Sequence, residues 1–246
     1  MAIAKSLSGK VALVTGGAKR LGKEAALALA QAGADVAITY LHSEEEVQRT
    51  RKELEKNGAR VLAIRCDVTD PKSVSAAVKK TLGELDGLDI LVNNAGAYET
   101  VSFEDITLQQ WDSIFGVNVR GPFLMSQTAQ PHLRRRKGRI INLGSLGGLR
   151  AWSSRAHYCS SKAALHMLTK AMAKALAPEI AVNCVAPGMI DLGEKSAAAF
   201  MSRMAKQTPM QRNGSGDDVA AAILFFATAP SFITGQVLYV DGGLGL

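Results

Sequence analysis

Cysteine is scarce in this chain: Cys66, Cys159 and Cys184 are the only three among 246 residues, and none stands in a C-x-x-C spacing. An odd, scattered set of thiols supports neither a disulfide framework nor a zinc site, and reads as small buried hydrophobes. The histidines, His42, His132, His157 and His166, are equally dispersed, so no metal site is expected. Only 7 prolines occur, and no run of proline, serine or like charge is long enough to be a linker. Residues 1–246 are therefore expected to form one domain. No apolar stretch approaches the roughly 20 residues of a membrane span, and the leader from Met1 to Gly9 lacks the apolar core of a secretory signal, which makes the cytoplasm the expected location. Aromatic residues make up 5% and do not interleave with basic ones, so the formal charge of +7 is not read as a nucleic-acid surface. The densest basic cluster, Arg134 to Lys137 before Gly138, reads as a helix end, with cations against the dipole and glycine making the turn.

Apolar residues are abundant instead, at 47%. Short runs from Val11 to Thr15, Val36 to Tyr40, Val61 to Arg65, Ile90 to Val92, Arg139 to Leu143, Ala181 to Ala186 and Val237 to Val240 alternate with helical patterns. This order predicts an α/β protein, a single-domain Rossmann fold whose doubly wound, mostly parallel seven-stranded sheet carries helices on both faces. The first run leads through Gly16-Gly17-Ala18-Lys19-Arg20-Leu21-Gly22 into an alanine-rich helix, a βα unit whose backbone N–H groups and dipole suit a pyrophosphate. Gly17 to Lys23 also fits most of a P-loop, but Glu24 stands where a magnesium-binding hydroxyl belongs, and a carboxylate beside triphosphate would repel it.

Chemistry enters with Tyr158 and Lys162, four apart in a helical stretch and hence on one face. An ammonium there is expected to favour the ionised phenol, and a phenol so tuned can protonate a forming alkoxide. Ser145 lies at the end of an apolar run that would deliver it to the same place, and Asn93-Asn94-Ala95-Gly96 ends another strand with small residues that let a ribose and ring approach the backbone.

With Cys66-Asp67-Val68, Asn118, Pro187-Gly188, Thr234-Gly235-Gln236-Val237 and Asp241-Gly242-Gly243 in order, the chain resembles the short-chain dehydrogenase/reductase family over nearly its whole length. The resemblance implies a tetrad: Tyr158 as general acid/base, Ser145 orienting a carbonyl, Lys162 holding the nicotinamide ribose and lowering the tyrosine pKa, and Asn118 positioning a relay water. It implies cofactor contacts from Gly16, Leu21, Gly22, Asp67, Val68, Asn94, Ala95, Gly96, Tyr158, Lys162, Pro187, Gly188 and Ile190. Members that prefer NAD usually carry an acidic residue where Tyr40 stands. Without that repulsion, Lys19, Arg20, His42 and Ser43 offer donors to a 2′-phosphate, and NADP(H) is expected. Arg20 replaces a glycine of the usual turn, giving Thr-Gly-x-x-x-Arg-x-Gly, similar to the pteridine reductases, whereas Ser145 departs from that branch. Leu192 replaces a threonine that often touches the nicotinamide amide.

These features predict an NADPH-dependent reductase of a small-molecule carbonyl, most like the 3-oxoacyl-carrier-protein reductases. A pteridine-reductase-like enzyme and a non-catalytic NADPH sensor are the alternatives. In the carrier-protein reductases a basic patch at the Arg134 helix end docks acyl carrier protein, but the second basic position is Pro178-Glu179 here. Residues 189–212, with Ile190, Leu192, Phe200, Met201 and Met204, are expected to form a lid, and Tyr98, Leu146 and Trp152 to line the cleft. Apolar residues on more than one face of the helices near Val117 to Leu133 and His157 to Ala177 predict a homotetramer.

Overall fold

Side chains alternate across a strand, and in β1 (Val11–Val14) Val11 and Leu13 take one side of the sheet and Ala12 and Val14 the other, all four buried. A sheet apolar on both faces must be covered on both. In the computed structural model, which describes residues 5–194 and 197–246, it is. Residues 1–4 of the leader and 195–196 of the expected lid lie outside the described residues. The remaining strands are β2 (Asp35–Tyr40), β3 (Val61–Arg65), β4 (Ile90–Asn93), β5 (Arg139–Leu143), β6 (Ala181–Pro187) and β7 (Val237–Val240). They form one sheet of order β3-β2-β1-β4-β5-β6-β7, parallel at every pairing. Helices α1 (Arg20–Gln31), α2 (Glu44–Glu55) and α8 (Gly216–Thr228) pack on the face of Ala12 and Val14. Helices α3 (Pro71–Leu85), α5 (Gly121–Arg136) and α6 (Ala156–Leu176) pack on the face of Val11 and Leu13. Helices α4 (Leu108–Phe115) and α7 (Ala198–Gln207) complete the chain. Among the described residues no helix is long and apolar enough to cross a membrane.

Because β1 neighbours both β2 and β4, the strand order reverses between β1 and β4, and a crevice opens at their carboxyl ends. Local chemistry starts the helices on either side of it. Asp70 accepts the Lys72 and Ser73 N–H groups ahead of Pro71 at the start of α3, and Ser215 and Asp218 form a capping box on α8. The Arg212 guanidinium, 2.7 and 2.9 Å from Asp218, holds that carboxyl well below the usual range.

The end of α5 differs from expectation. Lys137, not Gly138, takes the left-handed conformation (φ 50°), and Gly138 is needed for space, since a Cβ there would meet the Asp89 carbonyl oxygen at 2.5 Å. The arginines before it are engaged locally. Arg134 pairs with Glu179 at 3.1 Å, Arg135 meets the His132 ring at 2.7 Å, and Arg136 donates to the Asp86 carbonyl at 2.7 Å.

Candidate active site

Thr15, just past β1, is buried, and its hydroxyl accepts the Asn94 and Ala95 N–H groups at 2.9 and 3.0 Å. The Asn94 amide donates back to the Thr15 and Gly16 carbonyls at 2.8 and 3.0 Å. The glycine turn and the end of β4 are thereby one unit. Asn93 serves the other side, donating to Ser126 and Asn142 in the buried layer between β4, β5 and α5. Gly16 sits at φ 63°, where glycine carries no steric cost. A Cβ on Gly22 would lie 2.3 Å from the Gly16 carbonyl oxygen and 2.4 Å from the Asn94 amide nitrogen. Arg20, at φ 54°, takes a left-handed backbone that a non-glycine residue rarely adopts. No side chain caps α1, so the orphan N–H groups of its first turn have no side-chain partner at the cap. This cradle of bare backbone and open helix end fits a dinucleotide pyrophosphate. Gly22→Ala is expected to abolish measurable cofactor binding with little change in far-UV circular dichroism, and titration of the purified variant checks it.

The cations expected to meet a 2′-phosphate are already paired. Lys19 lies 3.8 Å from Glu46, and Arg20 reaches Glu194 in the segment after β6. Tyr40 closes β2 half-buried, His42 is exposed, and Ser43 precedes α2 without capping it. Opposite Tyr40 on β3 stands Arg65, which sequence reasoning missed; its guanidinium donates to the Leu41 carbonyl at 3.3 Å. Asp67 is occupied by its own turn, accepting the Thr69 N–H and hydroxyl at 2.8 and 2.7 Å, and Val68 is buried beneath Gly121.

Ser145 follows β5, 6% exposed, and its hydroxyl accepts the Gly147 N–H at 3.0 Å. Tyr158 lies across from it near the start of α6, with the Tyr98 ring edge-on at 5.1 Å and the Ser145 hydroxyl near enough to favour the ionised phenol. One turn on, the Lys162 ammonium is 5.9 Å from the tyrosine ring centre and donates to the Leu143 carbonyl at 2.8 Å. Burial pushes the lysine pKa down to about 8. The expected lowering of the phenol is not found: burial raises the Tyr158 pKa, and the opposing influences come from the Ser145 hydroxyl and Arg155, because the ammonium is directed to Leu143.

Asn118 is fully buried in a π-helical turn, Gly116–Arg120, a form concentrated at functional sites. Its side-chain oxygen accepts the Ala97 N–H at 2.8 Å, while its amide donates to the Ala97 carbonyl at 2.9 Å and to Ser161 at 3.0 Å. The side chain thus braces the loop after β4. Ser161 and Glu99, which accepts from buried His157 at 3.0 Å, are further braces that spacing did not reveal. His157 turns to Glu99 instead of the site.

Pro187 ends β6 and leads through half-buried Gly188 to Ile190, which bridges to Gly214 and packs on the core. Beyond it, no described residue of α7 is buried. Leu146 does not line the cleft: it is 1% exposed and lies where a Cβ on Gly245 would touch it. The three cysteines are buried free thiols. A cavity of about 650 Å³ lies between Phe115, Val119, Phe123 and Leu168 on the α4–α5–α6 face, on the outer side of the π turn.

Residues 16–245 match the family model described as Enoyl-(Acyl carrier protein) reductase. Over 240 residues the chain is 37% identical to a 3-oxoacyl-(acyl-carrier-protein) reductase of Staphylococcus aureus, covering 96% of this chain and 98% of that one. A dehydrogenase/reductase of Sinorhizobium meliloti superposes with a TM-score of 0.91 at 37% identity, covering 100% and 99% of the two chains. A gluconate 5-dehydrogenase of Burkholderia cenocepacia, solved with NADP and tartrate, gives 0.90 at 33% identity over 99% and 98%. The fold and the site define a Rossmann-type oxidoreductase. The chain belongs to the short-chain dehydrogenase/reductase family.

Proposed function

We propose that this oxidoreductase uses NADPH to reduce a small-molecule ketone to an alcohol, with a 3-oxoacyl thioester as the favoured substrate class. The observation that carries the reading is the convergence of Ser145, Tyr158 and Lys162 at the carboxyl ends of β4 and β5, beside a glycine turn that fits a dinucleotide. The similar S. aureus reductase and the NADP complex of the gluconate dehydrogenase support the substrate class and the cofactor.

In this mechanism the bound nicotinamide supplies the hydride. The Ser145 hydroxyl donates to the substrate carbonyl oxygen and orients it. The Tyr158 phenol, kept protonated by burial, then gives its proton to the oxygen as negative charge builds there. Lys162 holds the nicotinamide ribose. Asn118 acts by bracing Ala97, and a relay water would be held by main-chain atoms of its π turn. Purified protein with NADPH, screened against acetoacetyl thioesters, quinones, dihydropteridines and sugars, tests the reading. Preference for dihydropteridines would favour the pteridine-reductase alternative, and binding without turnover a sensor.

For the cofactor, Tyr40, Lys19, Arg20 and Arg65 carry the preference. Neutralising both Lys19 and Arg20 is expected to weaken NADPH by about 1–2 kcal/mol and leave NADH nearly unchanged, a modest effect because both cations are exposed and pair with Glu46 and Glu194. Equal losses for the two cofactors would instead mean that the turn had collapsed. Carrier-protein docking at the end of α5 would require the ties of Arg134, Arg135 and Arg136 to open, which favours a free thioester.

Residues 189–212 act as the lid, hinged where Met189 and Asp191 bond Gly214. The protein is a cytoplasmic homotetramer in this reading. Exposed Trp111, Phe123 and Met167 lie on the α4–α5–α6 side, and Phe225, Phe232 and Leu238 around α8 and β7, giving two apolar faces for two kinds of contact. Sedimentation at micromolar concentration is expected to give four times the 26.0 kDa protomer, and a monomer would exclude it.

A further inference from the structure

Lys162 and His166 stand one turn apart on α6 and both reach the end of β5. Lys162 donates to the Leu143 carbonyl, and the His166 Nε2 lies 3.4 Å from the Ser145 backbone nitrogen in a long hydrogen bond. Among the described residues no other acceptor meets that N–H. The ring is 7% exposed and fills a slot between two glycines. A Cβ on Gly144 would come within 2.4 Å of its Nε2, and one on Gly148 within 2.5 Å of its Cε1. The Tyr239 ring closes the slot edge-on at 6.0 Å.

We infer that His166 is a positioning residue for Ser145, its uncharged ring accepting the serine backbone N–H and fixing the turn that aims the serine hydroxyl at Tyr158. An imidazole can accept at Nε2 only if its proton resides on Nδ1. The titratable and charged groups around it are Lys162 and Lys170 on its own helix, Cys184 on β6 and Tyr239 on β7. Burial, then the two ammonium groups, push its pKa down to about 4, so the ring stays neutral through the ordinary range. Ser145 opens a tight turn in which its hydroxyl accepts the Gly147 N–H and its carbonyl the Gly148 N–H, leaving the backbone N–H as the group that His166 holds. A side chain bonded to its backbone therefore acts on the hydroxyl by orientation, without touching substrate or cofactor.

The inference rests on the carbonyl-reductase reading, so its test has one arm that needs no turnover. Long-range nitrogen NMR of ¹⁵N-histidine-labelled protein at neutral pH is expected to show His166 with Nδ1 protonated and Nε2 bare. Kinetically, His166→Leu should lower kcat about 10-fold with cofactor affinity unchanged. His166→Gln, whose amide oxygen can accept the same N–H, should recover most of that loss. Placed on Ser145→Ala, His166→Leu should add nothing, because its effect passes through the serine hydroxyl. A protonated Nε2, or the same 10-fold loss in the Ser145→Ala background, would overturn the inference. If His166→Leu does not fold, the tautomer and the His166→Gln rate decide. Failure of the carbonyl-reductase reading would show separately, as wild-type protein without turnover on any carbonyl compound.

Discussion

Replacing Tyr158 by phenylalanine is expected to lower carbonyl reduction by about 10²–10⁴-fold while cofactor binding survives. The ring keeps its edge-on packing against Tyr98, so the cleft wall stays in place and only the hydroxyl is lost. That hydroxyl holds the proton in a buried phenol whose pKa lies above the ordinary tyrosine value, the correct state for donating to a forming alkoxide. Ser145 is no substitute: its hydroxyl can donate a hydrogen bond to the oxygen, but an aliphatic alcohol is a far weaker acid than a phenol and does not give up its proton. Single-turnover NADPH oxidation beside a cofactor titration measures both quantities. A near wild-type rate would remove this tyrosine from the mechanism.

Lys162→Ala is expected to damage turnover and cofactor binding together, because in the proposed reading its ammonium holds the ribose and so places the nicotinamide against the substrate beside Tyr158. The lysine's pH dependence gives a second signature. Its folded pKa of about 8 lies below the ordinary lysine value of 10.5, so between those values the unfolded chain binds more protons than the folded one. Stability contributed by this group therefore rises with pH across that window, and below it the cost of the buried charge is fully present. Cofactor affinity, which uses the ammonium, should fall over the same window. Thermal melts and NADPH titrations against pH are thus expected to show opposite trends attributable to Lys162, and Lys162→Ala should lose both contributions. Parallel trends, or unchanged affinity in Lys162→Ala, would separate the lysine from the cofactor.

Much of this architecture was legible in the sequence because it follows from short-range rules. Apolar runs of strand length located all seven strands to within a residue at either end, since a parallel sheet buried on both faces admits little else. The glycine turn was legible because Gly16 and Gly22 answer to backbone geometry, whereas the left-handed backbone of Arg20 emerges only in the structure. Spacing placed Lys162 and Tyr158 on one face of α6, but not where a four-carbon side chain would end, and the Leu143 carbonyl captured it. The partners of Lys19 and Arg20 were hidden for a related reason: Glu46 and Glu194 are far away in sequence and come beside the turn only through the tertiary fold, from α2 and from the segment after β6. The π turn around Asn118 leaves no periodic mark in so short a segment. His166 was visible as one turn beyond Lys162, yet its contact with Ser145 depends on Gly144 and Gly148 making room from another element.

The central claim is that this protein passes a hydride from NADPH to a carbonyl and a proton from Tyr158 to its oxygen. Mixing purified wild-type protein with NADPH and an acetoacetyl thioester, and quantifying cofactor oxidised against 3-hydroxyacyl product formed, tests it most directly. The account predicts a one-to-one correspondence that disappears in Tyr158→Phe. NADPH that binds tightly and stays reduced with the thioester and every other carbonyl offered would contradict it.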